Sequence, residues 1–141
     1  RSTLFPYTTL FRSIRDKQPI TNLGLQQILY VIQREFLRVK GEPAFTESIE
    51  AWGFGPAIPS VYYDYSGSGA MRISICDMEN ILDIDGADKR IVDRLVESKR
   101  GLMYWDLSSD INREGGAWDM TYKNGEGYKA VIPIKAIREY G

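Results

Sequence analysis

The feature that most constrains the fold is a series of apolar residues at helical spacing between residues 21 and 39. Its apolar positions recur at intervals of three and four residues: Leu25, Ile28, Leu29, Ile32, Phe36 and Val39. This spacing lines one face of an amphipathic helix. Thr21 or Asn22 can cap the first turn, and Lys40-Gly41 is a typical helix end. The opposite face carries polar residues: Asn22, Gln26, Gln33 and Arg34. The segment therefore predicts a long helix with one face on the core.

Shorter patterns predict the remaining elements. We expect residues 45–54 to be extended and a short helix to begin at Pro59. Alternating apolar residues at 71, 73 and 75 predict a strand. Further along, the patterns predict helices at 85–99, 102–111 and 134–140, and a β-hairpin in which residues 118–122 and 128–132 flank a KNGEG turn. The predicted fold class is α+β and predominantly helical: a single small domain with a long N-terminal helix and a small sheet or hairpin element.

Composition narrows the class of protein. The 141 residues fit one domain, and 18 basic against 19 acidic side chains argue against a broad nucleic-acid surface. No apolar run is long enough for a membrane span, and no secretory signal is visible. The one cysteine, Cys76, suits a reducing cytoplasm. The absence of histidine removes Ser-His and Cys-His catalysis and histidine-based zinc sites. We therefore expect a cytoplasmic protein.

The first residues are predicted not to belong to the natural domain. Residues 3–13 read TLFPYTTLFRS, which resembles a sequencing-adapter oligonucleotide translated in one frame. The segment has no sustained helical or strand period, and it does not end in a cap or turn that suits the next part of the chain. We therefore treat residues 1–13 as a non-native, adapter-derived segment and residues 14–141 as the domain.

Two sequence blocks carry a family resemblance. The first is ITNLGLQQILY at residues 20–30, and the second is IEAWGFGPAIPSVY at residues 49–62. In order and spacing they resemble the Panacea domain, also called the SocA-like or phage-associated GepA-like domain, and the resemblance extends to about residue 140. The chain departs from the family's pattern in three places: Gln27 replaces a common lysine, Asn112 stands near an expected histidine, and Ala117 replaces a proline before Trp118.

The resemblance implies a binding function with no catalysed reaction, cofactor or metal. Members are similar to antitoxins encoded beside a toxin gene, so the expected partner is a cognate toxin protein. The resemblance leaves two modes open: direct neutralisation, and a proteolytic adaptor that hands the toxin to a ClpXP-type protease. The alternative function is a phage or mobile-element regulatory module that binds nucleic acid or another protein. The charge balance and the lack of a recognisable helix-turn-helix disfavour nucleic acid.

The candidate binding residues fall into two groups. Asn22, Gln26 and Tyr30 lie four positions apart, hence on one helix face. They can bind an extended partner segment, bond buried backbone of the second block, or cap and solvate the helix. The second group contains aromatic residues, which are enriched at binding hot spots, and a Gly-Pro pair: Trp52, Gly55, Pro56, Tyr62 and Trp118. For this group the alternative is packing, with the tryptophans in the core and Gly55-Pro56 as a turn.

Overall fold

The computed structural model describes residues 20–64, 72–73 and 104–141. The described part contains four short strands: β1 (Ile20–Thr21), β2 (Glu50–Trp52), β3 (Gly55–Ala57) and β4 (Arg72–Ile73). Its α-helices are α1 (Asn22–Val39), α2 (Pro59–Asp64), α3 (Tyr104–Ile111), α4 (Ala117–Tyr122) and α5 (Ile134–Tyr140). The predicted fold class, predominantly helical α+β with a long N-terminal helix and a hairpin, is confirmed. The predicted helix at 85–99 and the adapter-like segment 1–13 lie outside the described residues.

Helix α1 is the central element. It contacts helices α2, α3 and α5 as well as strand β3. The apolar positions predicted from the sequence form the middle of the core, and Leu25, Leu29, Ile32 and Phe36 are each at most 2% exposed. Gly41 ends the helix as expected, with φ at +74° and its amide bonded to the Leu37 carbonyl oxygen at 3.2 Å. Glycine suits this left-handed conformation because it lacks a Cβ.

The prediction of a separate polar face on α1 is wrong. Its four polar members are buried, with exposed fractions between 0% and 6%: Asn22, Gln26, Gln33 and Arg34. Val39, which was assigned to the apolar face, is 59% exposed. The reason is that other elements cover α1 on several sides, so its polar residues are enclosed too. Buried polar groups need hydrogen-bond partners, and most of these residues find theirs in the loops and helices around α1.

Strands β2 and β3 form an antiparallel hairpin around Gly53 and Phe54, with Glu50 opposite Ala57 and Trp52 opposite Gly55. A third extended segment, residues 129–132, lies along the other edge of β2. The Ala51 amide donates to the Ala130 carbonyl oxygen at 2.8 Å, and the Ile132 amide donates to the Ile49 carbonyl oxygen at 2.8 Å. The predicted strand near residue 73 is present as β4, which pairs with β1.

The predicted hairpin of residues 118–122 with 128–132 is wrong. The first of these segments lies in helix α4, which a 3₁₀ turn at Lys123–Gly125 follows, and the second pairs with β2 instead. Residues 118, 120 and 122 are apolar or aromatic in alternation, which is typical of a strand, but Trp118 and Tyr122 also stand four apart. In the helix their rings stack at 4.7 Å with a 15° interplanar angle, a contact that a strand would not provide.

The expected helices at 102–111 and 134–140 correspond to α3 and α5, and the helix from Pro59 corresponds to α2, so these predictions are confirmed. The core joins α1 to β2, α2, α3, α4 and α5 through buried apolar side chains such as Ala51, Val61, Ile111, Ala117 and Ile137. None of the helices in the described residues is long and apolar enough to cross a membrane.

Candidate functional site

A polar stripe runs along α1 at four-residue spacing. It begins with the predicted residues Asn22, Gln26 and Tyr30 and continues with Arg34 and Arg38. Four residues turn a helix by about 400°, so each step advances the direction of the side chain by about 40°. The stripe therefore winds around α1 and meets different elements in succession. The sequence indicated its first three members as candidate binding residues, whereas Arg34 was assigned only to the polar face and Arg38 was not singled out.

Asn22 and Gln26 hold the second sequence block against α1. The Asn22 amide donates from Nδ2 to the Tyr62 carbonyl oxygen at 3.0 Å. Gln26 is 0% exposed, donates from Nε2 to Asn22 Oδ1 at 2.9 Å and accepts from the Ile58 amide at Oε1 at 2.8 Å. Of the three interpretations of these residues, bonding to the buried backbone of the second block is confirmed for Asn22 and Gln26.

Gln33 holds a second backbone segment further along α1, seven residues after Gln26 and therefore on nearly the same side of the helix. Its side chain is 0% exposed. Oε1 accepts from the amides of Ala44 and Phe45, at 2.8 and 3.3 Å, and Nε2 donates to the Phe45 carbonyl oxygen at 3.1 Å. This clamp fixes the segment that leads from α1 into β2. The first two predicted residues of the stripe and Gln33 thus position the hairpin relative to the helix.

Tyr30 lies in the core, apart from the hairpin. It is 0% exposed, and its hydroxyl is buried without a hydrogen-bond partner among the described residues. Burial raises the pKa of Tyr30 to about 12, although the neighbouring Arg34 guanidinium opposes the shift. The Tyr30 hydroxyl faces residue 141: a Cβ atom placed on Gly141 would be 3.1 Å from it.

The hairpin and α2 assemble a cluster of four aromatic rings: Trp52, Phe54, Tyr62 and Tyr63. Together with Tyr128, which lies beyond Lys129, we call them the aromatic face. Trp52 packs edge-on against Tyr62 at 5.0 Å and against Phe54 at 5.8 Å, measured between ring centroids. Tyr63 lies 5.9 Å from Trp52. Trp52 is only 7% exposed, whereas Tyr63 and Tyr128 are 57% and 55% exposed. The face thus has a packed base and an exposed rim.

Lys129 connects Tyr128 to the rest of the aromatic face. Its Nζ lies 5.5 Å from the ring centroid of Trp52 and 5.5 Å from that of Tyr128, within the range of cation–π attraction. Lys129 has φ at +67°, which non-glycine residues rarely adopt. Its amide donates to the Ala51 carbonyl oxygen at 2.7 Å. The hydrogen bond to β2 therefore holds the backbone of Lys129 in this strained conformation, and the ammonium lies near both rings.

Gly55 and Pro56 are buried in β3, beneath the hairpin turn. Gly55 has φ at +133°, and a Cβ there would lie 2.9 Å from Asn112 Oδ1. Asn112, which stands near the histidine expected from the resemblance, donates from Nδ2 to the Phe54 carbonyl oxygen at 3.1 Å. Position 55 thus favours glycine for two reasons: the positive φ, and the short distance that a Cβ would have to Asn112. The Gly-Pro pair shapes the hairpin from below and does not belong to the exposed rim.

Trp118 supports the hairpin from the other side. Its indole Nε1 donates to the Trp52 carbonyl oxygen at 2.8 Å, and its ring packs partly buried against the core. Glu50 accepts from the Trp52 indole at 2.9 Å. These two bonds fix both the backbone and the ring of Trp52.

The structure brings most of the candidate residues to one region. Trp52 and Tyr62 are in contact in the aromatic face, Asn22 and Gln26 bond the backbone beside them, and Gly55, Pro56 and Trp118 lie behind the hairpin. Tyr30 lies elsewhere. The exposed rim residues Tyr63, Tyr128 and Lys129 were missed. A signal for Tyr63 was its position directly after Tyr62, the last residue of the second block, whereas Tyr128 and Lys129 were assigned to a hairpin strand.

Comparisons with known proteins support the family resemblance of the two blocks. The family described as "Antitoxin SocA-like, Panacea domain" matches residues 25–119. Over 119 residues the chain is 32% identical to Antitoxin SocA of Caulobacter vibrioides (strain NA1000 / CB15N), with 77% of this chain and 63% of that protein covered. The chain thus spans somewhat less than two thirds of that relative. No solved structure matches the chain.

The matched region contains most of α1, the hairpin with α2, α3 and the start of α4, so it includes most of the stripe and most of the aromatic face. The chain therefore belongs to the SocA-like antitoxin family that shares the Panacea domain.

Proposed function

We propose that this protein is an antitoxin that neutralises the toxin encoded next to it by binding that toxin directly. The observation that carries the proposal is the family match over residues 25–119. The name of the relative from Caulobacter vibrioides, Antitoxin SocA, supports it. Since an antitoxin acts on a toxin, the proposal takes a protein partner as the object of recognition.

The aromatic face is the surface that best fits such a partner. Tyrosine and tryptophan bury a large area with few rotatable bonds, which is why they dominate binding hot spots. Tyr63 and Tyr128 are more than half exposed, and Trp52 beneath them is held by hydrogen bonds to its ring and its backbone. A rim on a fixed base loses little conformational entropy on binding.

Lys129 gives this surface a charge preference. Its ammonium lies between two aromatic rings, and a left-handed backbone conformation is maintained there at a cost of about 1 kcal/mol or more. Strained residues of this kind cluster at functional positions. A toxin segment that fits the face would place an apolar or aromatic side chain against Tyr63 and Tyr128 and a carboxylate beside Lys129.

The test is growth rescue combined with a binding measurement. The neighbouring open reading frame is induced alone and together with residues 14–141 of this protein, and the purified pair is measured by calorimetry. Tyr63→Ala and Tyr128→Ala are expected to raise the Kd about tenfold or more each, since a hot-spot tyrosine contributes roughly 1.4 kcal/mol or more. Val39→Ala is the matched control, because Val39 is 59% exposed and lies at the end of α1.

The outcomes separate the modes of action. Rescue that persists in a host without the ClpXP protease supports neutralisation by binding, and rescue that requires the protease supports the proteolytic adaptor instead. A harmless neighbour, or a toxin that this protein neither binds nor counteracts, refutes the antitoxin proposal. If growth is rescued and both tyrosine variants bind the toxin as Val39→Ala does, the antitoxin function stands and the aromatic face is rejected as the binding site.

A further inference from the structure

The segment of residues 129–132 joins β2 through a β-bulge. The Ala51 carbonyl oxygen accepts from the Lys129 amide at 2.7 Å, whereas the Ala51 amide donates to the carbonyl oxygen of the next residue, Ala130, at 2.8 Å. Two residues thus lie opposite one, and in bulges of this type the first position usually carries a glycine in the left-handed conformation. Lys129 occupies that position with φ at +67°. The chain therefore has a lysine where glycine would be less strained.

The bulge places the Lys129 side chain beside the aromatic face. Its ammonium lies 5.5 Å from the ring centroids of Trp52 and Tyr128, and no carboxylate of the described residues forms an ion pair with it. Bulges near sheet edges commonly re-aim a side chain for a functional purpose. A cation in this position is available to a carboxylate of a partner.

Val131 presents a free backbone edge directly after the bulge. It lies opposite Glu50 in an antiparallel bridge, and the hydrogen bonds on either side of this pair join residues 49–51 to residues 130–132. This arrangement is that of a non-hydrogen-bonded pair, so the amide and the carbonyl group of Val131 point away from β2. Neither group has a hydrogen-bond partner among the described residues. Val131 is 55% exposed, so the edge is open to another chain.

The free edge is short, and it borders the aromatic face. Pro133 follows Val131 after one residue and has no amide hydrogen, so Val131 alone offers the outward pair of main-chain groups. Residues opposite each other in an antiparallel pair lie on the same side of a sheet, as do residues two apart along a strand. Val131 therefore shares a side with Glu50 and so with Trp52. A strand added at Val131 would bring every second side chain to the aromatic face.

We propose that an extended segment of the toxin pairs with Val131 as an added antiparallel strand, with an apolar side chain opposite Val131 and an acidic side chain two residues further on, beside Lys129. This pairing rests on the antitoxin function proposed above, and it specifies how the toxin segment is held. A single toxin residue opposite Val131 would exchange two main-chain hydrogen bonds with it. Residues two apart in the segment face the same side, so the carboxylate lies near the Lys129 ammonium.

The first experiment measures hydrogen exchange at the Val131 amide by NMR. The isotopically labelled 141-residue chain is compared alone and in complex with the unlabelled product of the neighbouring open reading frame. We expect rapid exchange in the free chain, because the amide hydrogen has no acceptor, and exchange about tenfold or more slower in the complex. Equal rates in the free chain and the complex would overturn the strand addition and leave the antitoxin function in place. Protection that rises with the concentration of the free chain would assign the edge to a second copy and also overturn it.

The second experiment removes the outward amide hydrogen with Val131→Pro. Proline is tolerated in an edge strand where its nitrogen faces solvent. Val131→Thr is the matched control, because it keeps the amide and the branched shape. We expect the Kd for the toxin to rise about tenfold or more in Val131→Pro, which leaves a toxin carbonyl group without its donor, and to change less than about threefold in Val131→Thr. Equal Kd values for the two variants would overturn the proposal. If Val131→Pro melts below Val131→Thr, hydrogen exchange in the wild-type chain decides.

The third experiment tests the acidic side chain of the segment with Lys129→Gly. Glycine adopts the left-handed conformation without strain, so the Tm should stay within about 4 °C of the wild-type value. We expect the Kd to rise about threefold to fivefold at low ionic strength and less at high salt, because an exposed ion pair is screened. A wild-type Kd at low salt would overturn the acidic segment. Calorimetry of the wild-type chain comes before every variant, and a neighbouring gene product that does not bind refutes the antitoxin function and the strand addition together.

Discussion

Two adjacent glutamines on α1 are expected to respond in opposite ways to the same substitution. Gln26 and Gln27 are 0% and 4% exposed. Gln26 makes two buried hydrogen bonds, to the Ile58 amide and to Asn22 Oδ1, whereas Gln27 Oε1 is buried without a partner in the described residues. Leucine has a similar size and no polar atoms, so it tests these bonds with little change in volume.

The expected change in the free energy of unfolding depends on which hydrogen-bonding groups each leucine leaves without a partner. In Gln26→Leu, the Ile58 amide and Asn22 Oδ1 lose their partner inside the protein, at about 1–3 kcal/mol each. Apolar burial of the leucine returns about 1 kcal/mol, so the net loss in the free energy of unfolding is roughly 1–5 kcal/mol. Gln27→Leu removes an unpaired buried oxygen, and we expect a change between neutral and about 1 kcal/mol of stabilisation.

The assay is urea unfolding followed by tryptophan fluorescence and circular dichroism, with equal m-values required for the comparison. At about 4 °C per kcal/mol, thermal melting should show a Tm that is lower by roughly 4–20 °C in Gln26→Leu and unchanged or higher in Gln27→Leu. Equal losses in the two variants would refute the reasoning, because they would mean that burial of a carboxamide, and not its hydrogen bonding, sets the cost.

Three further perturbations test other parts of the structure. Gly55→Ala should lower the free energy of unfolding by roughly 1–3 kcal/mol, since its φ is +133° and the new Cβ would meet Asn112 Oδ1 at 2.9 Å; a Tm equal to wild type would contradict this. The pKa of Tyr30 is about 12 in the folded chain and about 10 in the unfolded chain. The stability that the protonated hydroxyl contributes is therefore complete below pH 10 and is lost as the pH rises toward 12. Urea titrations between pH 10 and pH 12 should show that Tyr30→Phe loses less stability than the wild type. Trp118→Phe should cost about 1–2 kcal/mol because the Trp52 carbonyl oxygen loses its indole donor, and a variant as stable as wild type in urea would show that this bond contributes nothing.

The sequence predicted which residues of α1 form the core, but not how completely the helix is enclosed. The spacing of the apolar residues identifies the side of the helix with the densest contacts. It does not distinguish a helix that is covered on several sides from one that is covered on one side only, because both show the same spacing. Burial of Gln26 and Gln33 depends on backbone groups at Ile58 and Phe45, which are distant along the chain. No local pattern reports such partners.

Short segments were the second source of error. Trp118 and Tyr122 fit both a strand, in which every second residue shares a face, and a helix, in which every fourth does. Over five residues the two periods are not distinguishable, and the helix provides the stacked ring pair. In the candidate site, the second block indicated the aromatic residues Trp52 and Tyr62, whose rings the structure places in contact. The exposed rim at Lys129 depends on pairing with β2, a long-range contact.

The polar stripe on α1 also restricts how this helix can be misplaced. A helix surrounded by apolar contacts alone could slide by one turn and still bury much the same surface. Here a slide of four residues would bring Tyr30 to the position of Gln26 and Arg34 to that of Tyr30. A phenol would then face the Ile58 amide, and a guanidinium would enter the enclosed place beside residue 141. Each residue of the stripe has a chemically different partner. The stripe therefore favours one alignment of the helix over others that would bury a similar apolar surface.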